Sequence, residues 1–246
     1  MPATPETVLI LGGTREASEI AARLIAIGVS RVVTSLAGRT AAPEMPPGET
    51  RIGGFGGANG LADFLGSEAF DLLVDATHPF AGTISHNAVE AAAMAGIPLV
   101  TLRRPVWTAG GDDDWLPVAS LDAARAAIPP SARVFLALGR QHIDGFAERA
   151  DVHFIVRMID PPDRALPFRS CDLVIGKPSA DPAIEAELLR ANRVTHIVCR
   201  NSGGEGALAK LIAARDLGLP VIMIERPDAS DGRSYPTVDA LLAEIT

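Results

Sequence analysis

Cysteine is scarce: two residues in 246, Cys171 and Cys199, far apart and outside any metal-ligand spacing. This excludes a disulfide framework and reads as two reduced thiols in a cytoplasmic protein. Aromatic residues amount to 4%, too few for a typical all-β sandwich, and tyrosine occurs once. That Tyr235 is followed four residues on by Asp239, so the Tyr-x-x-x-Lys pair of short-chain epimerases is missing. No apolar run is long enough to span a bilayer. The opening segment, Met1 to Thr7, is polar and lacks the core of a signal peptide, so neither export nor membrane insertion is expected. Basic residues are outnumbered 22 to 30, and the net charge of −8 argues against nucleic-acid binding. No cluster of metal ligands is seen.

Apolar residues are plentiful at 48%, dominated by Ala, Leu, Ile and Val. Short apolar runs alternate with helical periods along the whole chain, as in parallel α/β proteins. The runs Val8–Leu11, Arg31–Ser35, Thr50–Ile52, Asp71–Asp75 and Pro98–Leu102 are predicted strands, with helices over Arg15–Ile27, Leu61–Leu65 and Thr83–Ala95. The scheme repeats in Val134–Leu138, His153–Val156, Leu173–Ile175, Ile197–Cys199 and Val221–Ile224, with helices near Ile143–Glu148, Pro182–Ala191 and Ala207–Leu217. Gly96 with Pro98, and Gly218 with Pro220, mark the same helix-to-strand junction in each half. Thr108–Asp114, with two Gly and three Asp, is the linker candidate. The expected fold is therefore two Rossmann-like lobes with mostly parallel sheets and an interlobe cleft, divided at residues 1–107 and 115–246.

The turn after the first strand is Gly12-Gly13-Thr14-Arg15-Glu16-Ala17. Glycine there lets backbone approach a phosphate, whose charge would sit on the N-terminus of the next helix. Only the first glycine of the usual dinucleotide fingerprint is kept, and a tight turn without ligand has the same pattern. The second predicted strand ends in Ser35-Leu36-Ala37-Gly38-Arg39-Thr40, without the carboxylate that NAD-binding proteins place on the ribose. Ser35, Gly38, Arg39 and Thr40 suit a 2'-phosphate instead, which favours NADPH over NADH; a solvated loop arginine is the plain alternative. Gly53 and Gly54 open a run of four glycines in seven residues, fit for close ligand approach or for simple mobility. The segment Asp75-Ala76-Thr77-His78-Pro79-Phe80-Ala81 follows a buried strand, where ligands of open α/β sheets sit. Asp75 and His78 there are candidate proton-transfer groups, or caps of the following helix.

Cations recur after the strands: Arg103 and Arg104, Arg140, Arg157, Lys177, Arg200 and Arg226. Parallel strands end on one side, so these charges should gather at one rim, suited to a small polyanion in an acidic protein. Arg200-Asn201-Ser202-Gly203-Gly204-Glu205-Gly206, with Lys210, is a second glycine-rich turn opening a helix, able to hold an anion or to remain a flexible loop.

Taken together, Leu11 to Glu16, Arg51 to Gly54, Asp75 to Ala81, Gly139-Arg140 and Asn201 to Gly204 with Lys210 resemble the precorrin-6A reductase family, over about Val8 to Pro227. The Asp-Ala-Thr-His-Pro-Phe-Ala string is the most specific element. The resemblance implies NADPH-dependent reduction of the C18=C19 double bond of precorrin-6A to precorrin-6B in cobalamin biosynthesis, with a related branch acting on the cobalt-loaded macrocycle. It implies an NADPH domain in the first lobe, with Gly12, Gly13, Thr14 and Arg15 on the pyrophosphate and Gly53, Gly54 and Thr77 also at the cofactor. It implies substrate carboxylates on Arg140, Lys177, Arg200, Ser202, Gly203 and Lys210, and Asp75 and His78 beside the reacting centre. The partner is a tetrapyrrole, with transient contacts to neighbouring pathway enzymes. The rival reading is a two-lobed protein that binds a nucleotide or anionic solute without redox chemistry.

Overall fold

The computed structural model describes residues 4–38, 44–227 and 232–245. It consists of two six-stranded sheets, and all ten strand pairings are parallel. The α/β class with two mostly parallel lobes is as expected from the alternation of apolar runs.

The first unit comprises Met1–Pro105 and Pro227–Thr246. Its sheet contains β1 (Thr7–Leu11), β2 (Arg31–Leu36), β3 (Glu49–Ile52), β4 (Leu72–Asp75), β5 (Leu99–Leu102) and β12 (Arg233–Tyr235), in the order β12-β5-β4-β1-β2-β3. Helices α1 (Arg15–Ala26) and α7 (Val238–Ile245) cover one face, where Ile20, Leu24 and Leu241 pack on Val8, Ile10 and Val74. Helices α2 (Ala58–Ser67) and α3 (Gly82–Ala95) cover the other, where Leu61, Leu65 and Ala88 meet Leu9, Leu11 and Leu73. Strands β1 and β4 are apolar in almost every position because both faces are covered.

The second unit is Val106–Arg226. Its strands are β6 (Trp115–Val118), β7 (Arg133–Ala137), β8 (His153–Met158), β9 (Cys171–Ile175), β10 (His196–Arg200) and β11 (Val221–Ile224), ordered β6-β11-β10-β7-β8-β9. Helices α4 (Leu121–Ala127), α5 (Pro182–Ala191) and α6 (Ala209–Asp216) complete it. α5 and α6 bury Ala186, Leu189, Leu211 and Ala214 against Phe135, Ile197 and Met223. On the opposite face Phe146 stands edge-on to Phe154, with ring centroids 6.2 Å apart.

Three features differ from the sequence reading. The last segment does not stay with residues 115–226: β12 pairs with β5, and α7 packs on α1, so the chain crosses back at Arg226–Pro227. Conversely β6, a strand absent from the sequence reading although it lies in the lobe expected for residues 115–246, pairs with β11. Each repeat thus lends its sixth strand to the edge of the other sheet, and the edge position of β6 accommodates Pro117 without loss of a ladder bond. Third, the helix expected over Ile143–Glu148 is a pair of 3₁₀ turns, Arg140–His142 and Asp144–Glu148, Gly145 lying inside the second.

Candidate functional site

In the first sheet the chain runs from β1 outward to β2 and β3, then returns to β4 on the other side of β1. The crevice outside the carboxyl ends of β1 and β4 is the point where such sheets bind ligands. The structure brings Gly12 to Arg15 and Asp75 to His78 to this one place. Thr14 joins them. Its hydroxyl donates to the Ala76 carbonyl at 2.7 Å and accepts the Ala17 N–H at 3.1 Å, capping α1.

Gly12 packs against β2. Its N–H donates to the Ser35 carbonyl at 2.9 Å, and a Cβ at Gly12 would stand 2.6 Å from the Thr34 Cγ2. Gly13 has a φ of +98° and opens on space, as backbone facing a ligand requires. Ser35 is buried within β2, and Gly38 lies just beyond its end. Arg39 and Thr40 lie outside the described residues.

The glycines after β3 form a built loop. Arg51 donates to the carbonyls of Gly53 at 2.6 Å and Gly54 at 2.8 Å, and its guanidinium lies 3.9 Å from the Phe55 ring centroid. The Gly53 N–H donates to the Leu36 carbonyl at 2.9 Å, tying the loop to the end of β2.

Asp75 is buried, and its Oδ1 accepts from the Thr77 N–H at 3.0 Å and the Thr77 hydroxyl at 2.7 Å. Asp75 therefore shapes the turn, while α3 begins only at Gly82 with no side-chain cap. The His78 Nδ1 accepts the Phe80 N–H at 3.2 Å, so the neutral ring carries its proton on Nε2.

The second sheet reverses direction between β7 and β10. Leu138-Gly139-Arg140 leaves β7, and Arg200, the last residue of β10, leads into Asn201, Ser202 and Gly203, so these candidates share one switch point. Arg140 donates to Asp163 Oδ2 at 2.6 Å on an exposed surface. The Ser202 carbonyl accepts from Arg226 at 2.8 Å. Lys210 is buried in the first turn of α6. Its Nζ donates to the Ala207 carbonyl at 2.8 Å and lies 5.1 Å from the Trp107 ring, and burial pushes its pKa below that of an ordinary lysine. Lys177 is not with the others, because it follows β9, two strands away from β7.

The expected rim of cations is only partly formed. Arg157 lies within β8, not after it, and its guanidinium meets Glu185 at 2.9 and 3.1 Å. Arg104 is paired with Glu16. Arg103 donates to the Pro227 carbonyl at 3.2 Å, helping to anchor the returning segment. Sequence reasoning assigned no role to Asn201, whose side chain exchanges two hydrogen bonds with the Trp107 backbone. Nothing local announces that partner, which lies 94 residues upstream.

Two doubly wound units, one with a helix-capped glycine turn facing the switch point, define a Rossmann-type α/β protein. The family model for precorrin-6x reductase CbiJ/CobK matches residues 7–246. A precorrin-6A reductase from Rhodobacter capsulatus is 49% identical, over 89% of this chain and 88% of its own length. One from Rhodococcus erythropolis is 48% identical, over 89% of each chain. The solved structure of a CobK precorrin-6A reductase superposes with a TM-score of 0.94 at 45% identity, covering 97% of this chain and 95% of that one. The chain belongs to the precorrin-6x reductase family and is an oxidoreductase. None of the helices among the described residues is long and apolar enough to cross a membrane.

Proposed function

We propose that the protein reduces the C18=C19 double bond of precorrin-6A to give precorrin-6B in cobalamin biosynthesis, with NADPH as reductant. The carrying observation is the hydrogen bond from the Thr14 hydroxyl to the Ala76 carbonyl, which fixes the glycine turn beside the segment Asp75 to His78. The turn fits a dinucleotide pyrophosphate: Gly12 is pressed against Thr34, Gly13 faces open space, and the first N–H groups of α1 have no acceptor within the helix.

Gly12, Gly13, Thr14 and Arg15 hold the pyrophosphate. Ser35, Gly38, Arg39 and Thr40 form the 2'-phosphate end, and Gly53, Gly54 and Thr77 line the remainder. NADPH supplies a hydride, and the reduction is completed by one proton. His78 is assigned to deliver that proton as the imidazolium, returning to the neutral Nε2–H ring that accepts the Phe80 N–H, while Asp75 and Thr77 hold the turn. Arg140, Arg200, Ser202, Gly203 and Lys210 take the carboxylates of the macrocycle at the second switch point, with Lys177 at the edge of the sheet. Work on a soluble intermediate suits a cytoplasmic enzyme in passing contact with its pathway neighbours.

Parallel titrations with NADPH and NADH, followed by nicotinamide fluorescence, test the cofactor assignment. NADPH is expected to bind at least tenfold more tightly, and Arg39→Ala should abolish most of that preference. Equal affinities would remove the 2'-phosphate end from the proposal.

A further inference from the structure

Glu16 is the second residue of α1, inside the turn assigned to the pyrophosphate. A carboxylate in the first turn of a helix stabilises it when the helix end is bare. The same carboxylate opposes an anion arriving at that end. A phosphate site with a glutamate built into it therefore needs a means of cancelling the charge.

Arg104 supplies it. Its Nη1 lies 2.6 Å from Glu16 Oε1, and the two side chains are 15% and 21% exposed. Most surface ion pairs lie well out in water and are worth little. This one is drawn in between the end of β5 and the N-terminus of α1, where screening is weaker. The adjacent arginines have separate tasks. The Arg103 backbone N–H donates to the Tyr235 carbonyl at 2.8 Å and its guanidinium to the Pro227 carbonyl, so Arg103 serves the β12 edge. Arg104 reaches the first turn of α1 through Glu16.

We propose that Arg104 is a positioning residue for the cofactor: it neutralises Glu16 and holds that carboxylate away from the phosphate-binding end of α1. This rests on the dinucleotide reading of the Gly12–Arg15 turn. Without Arg104 the carboxylate would face the pyrophosphate uncompensated. With the pair intact the Glu16 charge is cancelled, Arg15 remains as a cation of the turn, and the helix end keeps its attraction for an anion.

The test is a set of NADPH dissociation constants by fluorescence titration, with no tetrapyrrole present, for the intact protein, Arg104→Met, Glu16→Gln and the double variant. Arg104→Met is expected to weaken binding about tenfold, of the order that one uncompensated charge near a helix end produces. Glu16→Gln alone should tighten binding, because the Arg104 charge beside the anion is then no longer offset by Glu16. The double variant should return to within about threefold of the intact protein, because no carboxylate is left to neutralise. Thermal unfolding of each variant reports whether the fold is kept. Unchanged affinity in Arg104→Met would overturn the proposal. So would a double variant as weak as Arg104→Met, since an arginine acting only as a scaffold is not replaced by removing its partner's charge. If the intact protein binds neither NADPH nor NADH, the cofactor assignment falls, and this proposal with it.

Discussion

Asn201 reads the backbone of Trp107 in both directions: the Trp107 N–H donates to Asn201 Oδ1 at 2.8 Å, and Asn201 Nδ2 donates to the Trp107 carbonyl at 2.9 Å. The Trp107 indole N–H continues the tie to the Gly204 carbonyl at 2.8 Å, and Lys210 lies over the ring. One amide side chain thus does for a single residue at the start of the second unit what a neighbouring strand would do. It fastens the entry of the second unit to the glycine-rich turn proposed to take substrate carboxylates.

Asn201→Ala would orphan both backbone groups of Trp107. A loss of about 2 kcal/mol is expected, the low end for two groups at roughly 1–3 kcal/mol each, because both hydrogen bonds are only partly buried. Urea denaturation measures it. Asn201→Asp keeps the acceptor but sets a carboxylate oxygen against the Trp107 carbonyl, and should be at least as unstable as Asn201→Ala. If Asn201→Ala is as stable as the parent, the clamp has no energetic role.

Gly12→Ala is expected to cost about 1–3 kcal/mol, the usual range for overpacking, and to weaken NADPH binding. The obstacle is one methyl group, the Thr34 Cγ2 at 2.6 Å. Thr34→Ser removes that methyl, so the double variant should regain most of the stability. Failure of this rescue would show that the turn needs glycine for another reason.

Arg157 and Glu185 form an ion pair whose side chains are 9% and 1% exposed. Glu185 also accepts the Ser179 N–H at 2.8 Å. Removing only one partner leaves a buried charge, so Arg157→Met or Glu185→Met should each cost about 3–5 kcal/mol. The double Met variant should be far less damaged than the sum. Additive losses would mean that the two side chains do not act as a pair.

Among the described residues Asp71 and Asp113 are two of five aspartates, with Asp151, Asp163 and Asp172, whose carboxyls are held below the ordinary range and so contribute to the response to acid. The Thr7 hydroxyl, then the backbone N–H groups of Thr7 and Glu6, hold the Asp71 carboxyl below the usual range. The Arg215 guanidinium, with the Gly110 N–H, does the same for Asp113. A carboxyl whose pKa is depressed by folding adds stability above its unfolded value of about 3.9. That contribution is lost as pH falls through the lower folded value. Stability of the parent should therefore drop below about pH 4, and the Asp71→Asn, Asp113→Asn double variant should drop less steeply. Parallel curves would exclude these two groups as the source.

The parallel class and both glycine-rich turns are legible in the sequence because they depend on local pattern: short apolar runs, and glycine just past a strand. The exchange of β6 and β12 is not, since Pro117 interrupts β6, Arg-Ser-Tyr of β12 has no apolar run, and their partners are set by the tertiary fold. Arg157 misleads for a related reason. A charged residue near the end of an apolar run looks like the first residue of a loop, yet here the strand continues to Met158 because Glu185 supplies a buried partner from α5. The pairing of Arg104 with Glu16 joins residues 88 apart and has no sequence signature.

The most direct measurement is an anaerobic single turnover of the purified protein with NADPH and precorrin-6A, followed by nicotinamide absorbance and the mass of the tetrapyrrole. One NADPH is expected to be oxidised per macrocycle, with a gain of about two mass units as hydride and proton are added. Binding of both molecules with no oxidation of NADPH and no change in mass would contradict the reductase assignment and favour a protein that holds anionic ligands without redox chemistry.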